Sequence, residues 1–329
     1  MVESSPLVWV AFNAFVLAML ALDLCVFHRH AHEVRTKEAA VWSAIWIALA
    51  LMFNVGLYQV AGEEAALMFL AGYLVEKALS VDNIFVFVLI FSYFRIPPRY
   101  QHRVLFWGIL GALVTRGTMI AAGAYLVHQF NWLLYVFGAF LVATGLRMAT
   151  HEERDLTPES NIVIRLVTRF APVTTSYDGQ RFFARMPTAG GGVRRAATPL
   201  LLALVMVETT DIIFAVDSIP AIFAITTDPF IVYASNVFAI LGLRALYFLL
   251  ARVIHQFHHL KLGLSAVLVF VGVKMLIADL YHVPIAVSLA VIAVILAGSV
   301  AASLLRPQTA GAHGEVAGDR LRTGSEPHR

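Results

Sequence analysis

An apolar run from residue 199 to residue 225 is long enough to cross a bilayer, yet it contains three carboxylates, Glu208, Asp211 and Asp217. An acidic side chain at the bilayer centre costs about 2.5–3.5 kcal/mol on insertion scales. A chain keeps such residues where they face a partner charge, an ion or water inside the protein. A single buried carboxylate commonly just holds helices together. Three of them beside Pro220 favour a transport or catalytic site.

This stretch has a counterpart earlier in the chain, where an acid is again followed, six residues later, by a Val-Asp pair and a small polar residue. The aligned pairs are Glu76 with Asp211, Asp82 with Asp217, and Asn83 with Ser218. The similarity extends over the two following apolar segments, where Gly145 aligns with Gly272. The sequence therefore predicts an internal repeat that contains an acidic stretch in each copy.

The composition predicts a polytopic membrane protein, because 60% of the residues are hydrophobic and only 14% are charged. The single cysteine excludes a disulfide framework and a cysteine-based zinc site. The chain has no Walker A loop, no Gly-x-Ser-x-Gly and no His-Glu-x-x-His sequence. ATP-driven transport and the common hydrolase classes therefore have no support.

Nine apolar segments are long enough to cross about 30 Å of hydrocarbon. They cover residues 7–27, 39–60, 64–93, 103–126, 131–149, 199–225, 230–253, 263–281 and 284–304. Of the 24 Lys and Arg residues, all but four (Lys77, Arg116, Arg244 and Lys274) lie in connections on one side. By the positive-inside rule the N-terminus is outside and the C-terminus cytoplasmic. The net charge of +3 then reflects topology and does not predict a nucleic-acid partner.

The domain prediction is a first membrane part over residues 1–149, a cytoplasmic connection over 150–198, a second membrane part over 199–305 and a disordered cytoplasmic tail over 306–329. Within the connection, residues 162–170 are expected to form a short amphipathic helix. Residues 177–180, Tyr-Asp-Gly-Gln, carry the signal of a hairpin turn.

Spans three to five repeat as spans six to eight, and the two copies enter the membrane from opposite sides. Such inverted repeats are common in secondary transporters, with the substrate site near the midplane. On one ideal helix, Glu76, Ser80 and Asn83 share a face, whereas Asp82 lies about 240° from Glu76. Either the helices unwind near residues 80–82 and 215–220, or each acid faces a different neighbour.

Three cations inside the spans are candidates for gating or charge pairing: Lys77, Arg116 and Arg244. We interpret the two arginines as structural partners of the acids rather than as direct participants in transport. Glu208 has no acidic counterpart in the first copy, because the equivalent position is Tyr73. It is therefore expected to act as a gate, a proton carrier or an arginine partner. The surplus of acids over cations suits a divalent cation.

The motifs at residues 76–87, 211–221 and 235–248 resemble those of the TerC family of integral membrane proteins, including its Alx branch. The resemblance covers residues 7–305. The family is named for tellurite resistance, is grouped with LysE-type transporters, and has Alx-type members implicated in manganese export. The resemblance implies ion-binding positions at Asp82, Asp211 and Asp217, surrounded by Glu76, Asn83, Ser218 and Asn236.

Together these features predict an all-α, nine-span secondary transporter in the bacterial inner membrane that exports a divalent metal cation. The candidate ligands are carboxylate, amide and hydroxyl oxygens without thiolate, which favours Mn²⁺, Ca²⁺ or Mg²⁺ over Cu(I) or Zn²⁺. Among these ions, the resemblance to Alx-type proteins implies Mn²⁺ as the substrate. H⁺ is the expected coupling ion, membrane lipid the expected surroundings, and neither a resident cofactor nor an enzymatic activity is expected. The oligomeric state is left open.

Two other classes are considered. An intramembrane aspartyl protease would also need two membrane aspartates, but its Gly-x-Gly-Asp sequence is absent. A partner protein in tellurite resistance or membrane-protein assembly, without transport activity of its own, stays open.

Overall fold

A computed structural model describes residues 5–27, 36–150, 164–165, 168–169, 172–174, 177–187, 193–251, 253 and 259–305. Nearly all of the described chain is helical. The helices are α1 (Pro6–Phe27), α2 (Thr36–Tyr93), α3 (Pro98–Gln129), α4 (Leu133–Thr150), α5 (Pro199–Phe223), α6 (Pro229–Leu241), α7 (Leu243–Leu250), α8 (Leu260–Leu276) and α9 (Ile285–Leu305). The tail predicted to be disordered, 306–329, lies outside the described residues, as does most of the predicted helix over 162–170.

Helix α2 is interrupted at Gly62, whose backbone has φ 87° and ψ 180°. Only glycine adopts this conformation at low cost. The 58 residues of α2 would form a helix of about 87 Å, almost three times the thickness of the hydrocarbon core. The break divides α2 into two helices of membrane-spanning length, here α2a (residues 36–61) and α2b (residues 63–93).

The described residues contain five helices that are long and apolar enough to cross a membrane, namely α2, α3, α4, α5 and α9. The pair α6 and α7, bent by 41° at Gly242, would make six if it forms one broken span. The structure thus agrees with a multi-pass, all-α membrane protein.

Both acidic stretches lie on uninterrupted helix. α2b continues through residues 80–82, and α5 continues through residues 215–220 with Pro220 inside it. The predicted unwinding is therefore not observed, and each acid of a pair faces a different neighbour. A single proline is tolerated in a membrane helix when neighbouring groups satisfy the backbone that it frees.

Helices α4 and α8 contact each other through two glycines in equivalent places. A Cβ atom added at Gly145 would lie 2.8 Å from Val269, and one added at Gly272 would lie 2.9 Å from Val142. In the repeat alignment, Val142 corresponds to Val269 and Gly145 to Gly272. Each helix therefore contributes a glycine and a valine from equivalent positions, as the two partners do across a two-fold axis.

We expect Gly272→Ala to destabilise the protein by about 1–3 kcal/mol, because the new methyl group would overlap backbone of the facing helix. The nearest atom, the carbonyl oxygen of Gly138, would be 2.7 Å from the added Cβ. Thermal unfolding of the purified protein in detergent measures the effect. The matched control is Gly298→Ala in α9, where the added Cβ meets nothing within 4 Å. Equal melting temperatures for the two variants would contradict the close contact of α4 and α8.

The connection between the two membrane parts contains a short antiparallel hairpin, β1 (Phe183–Pro187) with β2 (Val193–Ala197). The expectation of a hairpin turn at residues 177–180 is wrong in its position. A turn does occur there, with Gly179 at φ 57°, but it leads into β1, and the loop of the hairpin comes later. Tyr177 anchors this turn on the end of α2b, because its hydroxyl donates to the carbonyl of Phe94 at 2.7 Å.

Candidate functional site

The centre of the bundle holds one arginine, Arg116 of α3, whose side chain is 2% exposed. Its Nε and Nη2 atoms donate to the two carboxylate oxygens of Asp211 on α5, at 3.1 and 2.7 Å. This two-point contact matches the planar fork of a guanidinium to a carboxylate. Asp211 is therefore oriented as well as neutralised.

The remaining terminal nitrogen of Arg116, Nη1, is shared among three acceptors. It donates to Glu76 of α2b, and more weakly to Ser218 Oγ and Asn236 Oδ1, both at 3.4 Å. These acceptors come from α2b, α5 and α6. Residues from four helices thus converge on one guanidinium, and we call this group of Glu76, Arg116, Asp211, Ser218 and Asn236 the Arg116 cluster.

Small residues let these helices approach closely enough for the cluster to form. A Cβ added at Gly72 of α2b would lie 2.9 Å from Ser235 Oγ of α6. A Cβ added at Gly108 of α3 would lie 2.9 Å from Val207 of α5. Gly72 lies one turn before Glu76, and Val207 one turn before Asp211. Each acid is therefore placed by a tight helix contact next to it.

The cluster has an excess of negative charge in a dry environment. Glu76 is 0% exposed and Asp211 3% exposed, and they face a single guanidinium. In addition, Glu76 Oε2 and Asn236 Nδ2 are buried without a hydrogen-bond partner in the described part of the protein. Unsatisfied buried polar atoms are costly, so their presence in a native site calls for a functional explanation.

The other three residues proposed for gating or pairing lie around the cluster. The carboxylate of Glu208, three residues before Asp211 on α5, packs against Gly111 of α3 so tightly that an added Cβ would overlap it. Lys77 donates to the carbonyl of Ala239 at 3.3 Å, at the end of α6. Arg244 follows the bend between α6 and α7 and is 8% exposed.

Asp217 lies on a different side of α5 from Asp211. It is partly buried and interacts with the Thr144 hydroxyl and the positive charge of Arg147, both on α4. Asp82 is partly buried on α2b, next to the buried Asn83. The structure therefore gathers Glu76, Asp211, Ser218 and Asn236, whereas Asp217 faces α4. A single ion shared by Asp82 and Asp217 stays a prediction.

Among the described residues, no three His, Cys, Asp or Glu side chains lie together in a group that could hold a metal ion. In the Arg116 cluster two carboxylates, those of Glu76 and Asp211, face the same guanidinium. A cation entering the Arg116 cluster would find carboxylate, hydroxyl and amide oxygens from different helices, which is the chemistry preferred by hard divalent cations.

Thr144 and Arg147, which interact with Asp217, were not among the residues singled out from the sequence. The alignment of the repeat contains a signal for Arg147, because it corresponds to another basic residue, Lys274, in the second copy. Thr144 corresponds to Val271 and carries no such signal. The partner of an acid on another helix is not visible in the periodicity of either helix alone.

Fold and site together define an integral membrane protein with a buried cluster of charged residues at the contact of several helices. Comparison with protein families confirms the resemblance seen in the motifs. The chain belongs to the integral membrane protein TerC family, whose model matches residues 61–310. That range includes every member of the Arg116 cluster.

Several relatives match almost the full length of the chain. It is 56% identical over 306 residues to the uncharacterized membrane protein STKORF319 of Myxococcus xanthus, covering 93% of this chain and 94% of the relative. It is 50% identical over 297 residues to a Salmonella typhi protein with the provisional name membrane-bound redox modulator Alx, covering 88% and 91%. A membrane protein of Rickettsia bellii is 37% identical over 298 residues, covering 91% and 97%. No solved structure matches the chain significantly.

Proposed function

We propose that this protein is a secondary transporter that exports a divalent metal cation, with Mn²⁺ as its main substrate. One observation carries the proposal: Glu76 and Asp211, which occupy equivalent places in two similar stretches, meet at one buried site on Arg116. Intramembrane acids that face a bundle interior typically mark an ion or proton pathway. The oxygen-only ligand set favours Mn²⁺, Mg²⁺ or Ca²⁺ over Cu(I) or Zn²⁺.

The proposal includes an inverted repeat of spans three to five and six to eight. The paired contacts of Gly145 with Val269 and of Gly272 with Val142 support it, because a two-fold relation between the copies would produce them. The break at Gly62 supports the count of nine spans, since it makes α2 two crossings. In such folds the two copies can rock around a site held between them, which gives alternating access.

The proposed orientation in the bacterial inner membrane places the N-terminus outside and the C-terminus in the cytoplasm. In a Cys25→Ser background, a cysteine at Asp178 should be protected from an impermeant thiol reagent in intact cells, and one at Thr227 should react. Both sites leave the membrane core intact, since Asp178 lies in the connection and Thr227 is exposed between α5 and α6. Labelling of position 178 from outside would contradict the nine-span topology.

Transport itself is tested with purified protein in liposomes that are loaded with a metal-sensitive dye and exposed in turn to Mn²⁺, Mg²⁺, Ca²⁺ and Zn²⁺. We expect Mn²⁺ flux that collapses when a proton ionophore removes the pH gradient. Liposomes that contain a Gly272→Ala variant of lower stability serve as a control for leak through damaged protein. Absence of flux for every metal, with folded protein present, would contradict the proposal.

The name given to the Salmonella typhi relative, redox modulator, leads to a second candidate, an effect on cellular redox state. One cysteine cannot form a dithiol pair within the chain, so a redox effect would more simply follow from a change in metal content. The family name leads to tellurite resistance, by transport or as a partner protein. A non-transporting partner would co-purify with another membrane protein and show no flux in liposomes.

A further inference from the structure

Arg116 fills the place that a bound cation would occupy between Glu76 and Asp211. All three side chains are more than nine-tenths buried, and the guanidinium uses both oxygens of Asp211 and one of Glu76. A divalent cation bound by the same oxygens would sit within about 2–2.6 Å of them. The two positive charges would then lie in contact in a medium of low dielectric constant, where they repel strongly. Metal and guanidinium therefore exclude each other.

The surroundings of Arg116 contain ligand capacity that the arginine leaves unused. Glu76 Oε2 is buried and makes no hydrogen bond within the described part of the chain, so this oxygen can coordinate a cation. Ser218 Oγ and Asn236 Oδ1 accept from Nη1 only at a long distance of 3.4 Å. A guanidinium with planar, directed donors does not saturate this site. A spherical ion can bind oxygens from all directions, so it would use the ligands of this site more fully.

We propose that Arg116 is a tethered counter-ion that competes with the transported metal. In the metal-free carrier it balances one of the two buried negative charges, and when a divalent cation binds Glu76 and Asp211 it moves away from them. This inference rests on the proposed transport of a divalent cation. It goes beyond the purely structural pairing that the sequence favours for Arg116.

An acceptor for the displaced guanidinium is present. Glu208 lies one turn before Asp211 on the same face of α5, about 4.5 Å further along the helix axis. Its carboxylate rests against Gly111 of α3, the helix that carries Arg116. An arginine side chain that leaves Asp211 can therefore pair with Glu208. This gives Glu208 a role in the cycle although it has no counterpart in the first copy.

Two consequences follow for transport. First, Arg116 weakens the apparent affinity for metal, because only molecules with the arginine displaced can bind. If these make up about a tenth of the population, the apparent dissociation constant rises about tenfold. Second, the empty carrier can reorient, since Arg116 still balances part of the buried negative charge when the metal has left. A carrier without Arg116 would release metal slowly and return empty with difficulty.

The first test compares Mn²⁺ binding to purified wild-type protein and to Arg116→Gln by calorimetry. We expect Arg116→Gln to bind Mn²⁺ about tenfold more tightly. Arg116→Lys should fall between the two, because lysine keeps the charge but cannot span two carboxylates with one planar fork. The matched control is Arg181→Gln, whose arginine side chain is 70% exposed and pairs only with Asp178 in the described structure.

The second test uses liposomes to separate two modes of transport, net Mn²⁺ efflux and exchange of labelled for unlabelled Mn²⁺. Exchange needs only the metal-bound carrier, whereas net efflux also needs the empty carrier to return. Arg116→Gln should lose net efflux at least about tenfold more than it loses exchange. Arg181→Gln should leave both modes at the wild-type rate.

The outcomes are distinguishable. If the wild-type protein shows neither mode, the proposed transport function fails, and the counter-ion role falls with it. If the wild type transports but Arg116→Gln is folded, binds Mn²⁺ no more tightly and loses both modes equally, Arg116 is structural and the inference is overturned. If Arg116→Gln does not fold, Arg116→Lys decides in the same way: tighter binding with a selective loss of net efflux supports the inference, and unchanged or weaker binding overturns it.

Discussion

Asp211→Asn is expected to reduce Mn²⁺ efflux about 100-fold or more, and to destabilise the protein at the same time. The substitution keeps the shape of the side chain and one oxygen, but it removes the charge that offsets dehydration of the cation. It also removes one partner of a buried, doubly hydrogen-bonded ion pair, at 2.7 and 3.1 Å from Arg116. The first effect lowers efflux, because the ion loses a charged ligand, and the second destabilises the fold, because the buried guanidinium loses a partner charge.

The predicted loss of stability is measured by thermal unfolding in detergent, in parallel with the transport assay. Loss of hydrogen bonds to a charged group should lower the free energy of unfolding by about 1.5–3 kcal/mol. Asp178→Asn is the matched control, since its carboxylate is exposed in the connection and 3.4 Å from Arg181. Wild-type efflux by correctly inserted Asp211→Asn protein would rule out the Arg116 cluster as the metal site.

The helical layout follows closely from hydropathy, because a backbone in hydrocarbon must satisfy its own hydrogen bonds within a helix. The predicted connection between the second and third apolar segments coincides with Gly62, where the backbone leaves helical geometry. The segment predicted over 199–225 is observed as Pro199–Phe223. Proline at the first helical position explains the sharp start of this helix.

The hairpin in the connection shows where local signals fail. The Asp-Gly pair at 178–179 does form a turn, and Gly179 takes the positive φ that the turn needs. A turn signal, however, does not specify which flanking strands pair. β1 and β2 pair in register, and the sequence between them, residues 188–192, contains three successive glycines.

The sequence could not predict which side chains meet at Arg116, for a different reason. Helical phase places Glu76 on one face of α2b and Asp211 on one face of α5, but it does not indicate which neighbouring helix each face meets. Three basic residues lie inside apolar segments, namely Lys77, Arg116 and Arg244. The sequence alone does not show which of them pairs with a given acid. Tertiary packing determines which residues meet: the close contact at Gly72 brings α2b against α6, and the close contact at Gly108 brings α3 against α5.

The same packing separates the two aspartates of α5 into different environments. Asp211 is buried on Arg116, whereas Asp217 is partly buried and faces Thr144 and Arg147. Two acids on one helix can thus have different roles, because they face different neighbouring helices. This suggests that Asp217 acts at another step from Asp211, along the path of the ion or of a proton.

Asp217→Asn is therefore expected to abolish Mn²⁺ efflux, about 100-fold or more, while leaving stability nearly unchanged. The lost charge lies in the membrane-spanning part of α5, where an acid retained at a cost of about 2.5–3.5 kcal/mol is expected to be functional. Yet Asp217 makes no bond to the buried guanidinium of Arg116 in the described structure, and its neighbour Arg147 is exposed and can be hydrated instead.

The contrast between the two aspartate variants is the informative measurement. Asp211→Asn should lower both efflux and melting temperature, and Asp217→Asn should lower efflux alone. Asp82→Asn, the equivalent substitution in the first copy, should also abolish efflux if the acids of both copies serve the ion. A folded Asp217→Asn protein that exports Mn²⁺ at the wild-type rate would remove Asp217 from the mechanism and leave the Arg116 cluster as the sole acidic site. Retained efflux in Asp82→Asn would show that the two copies are not functionally equivalent, because an ion held by both needs a charge from each.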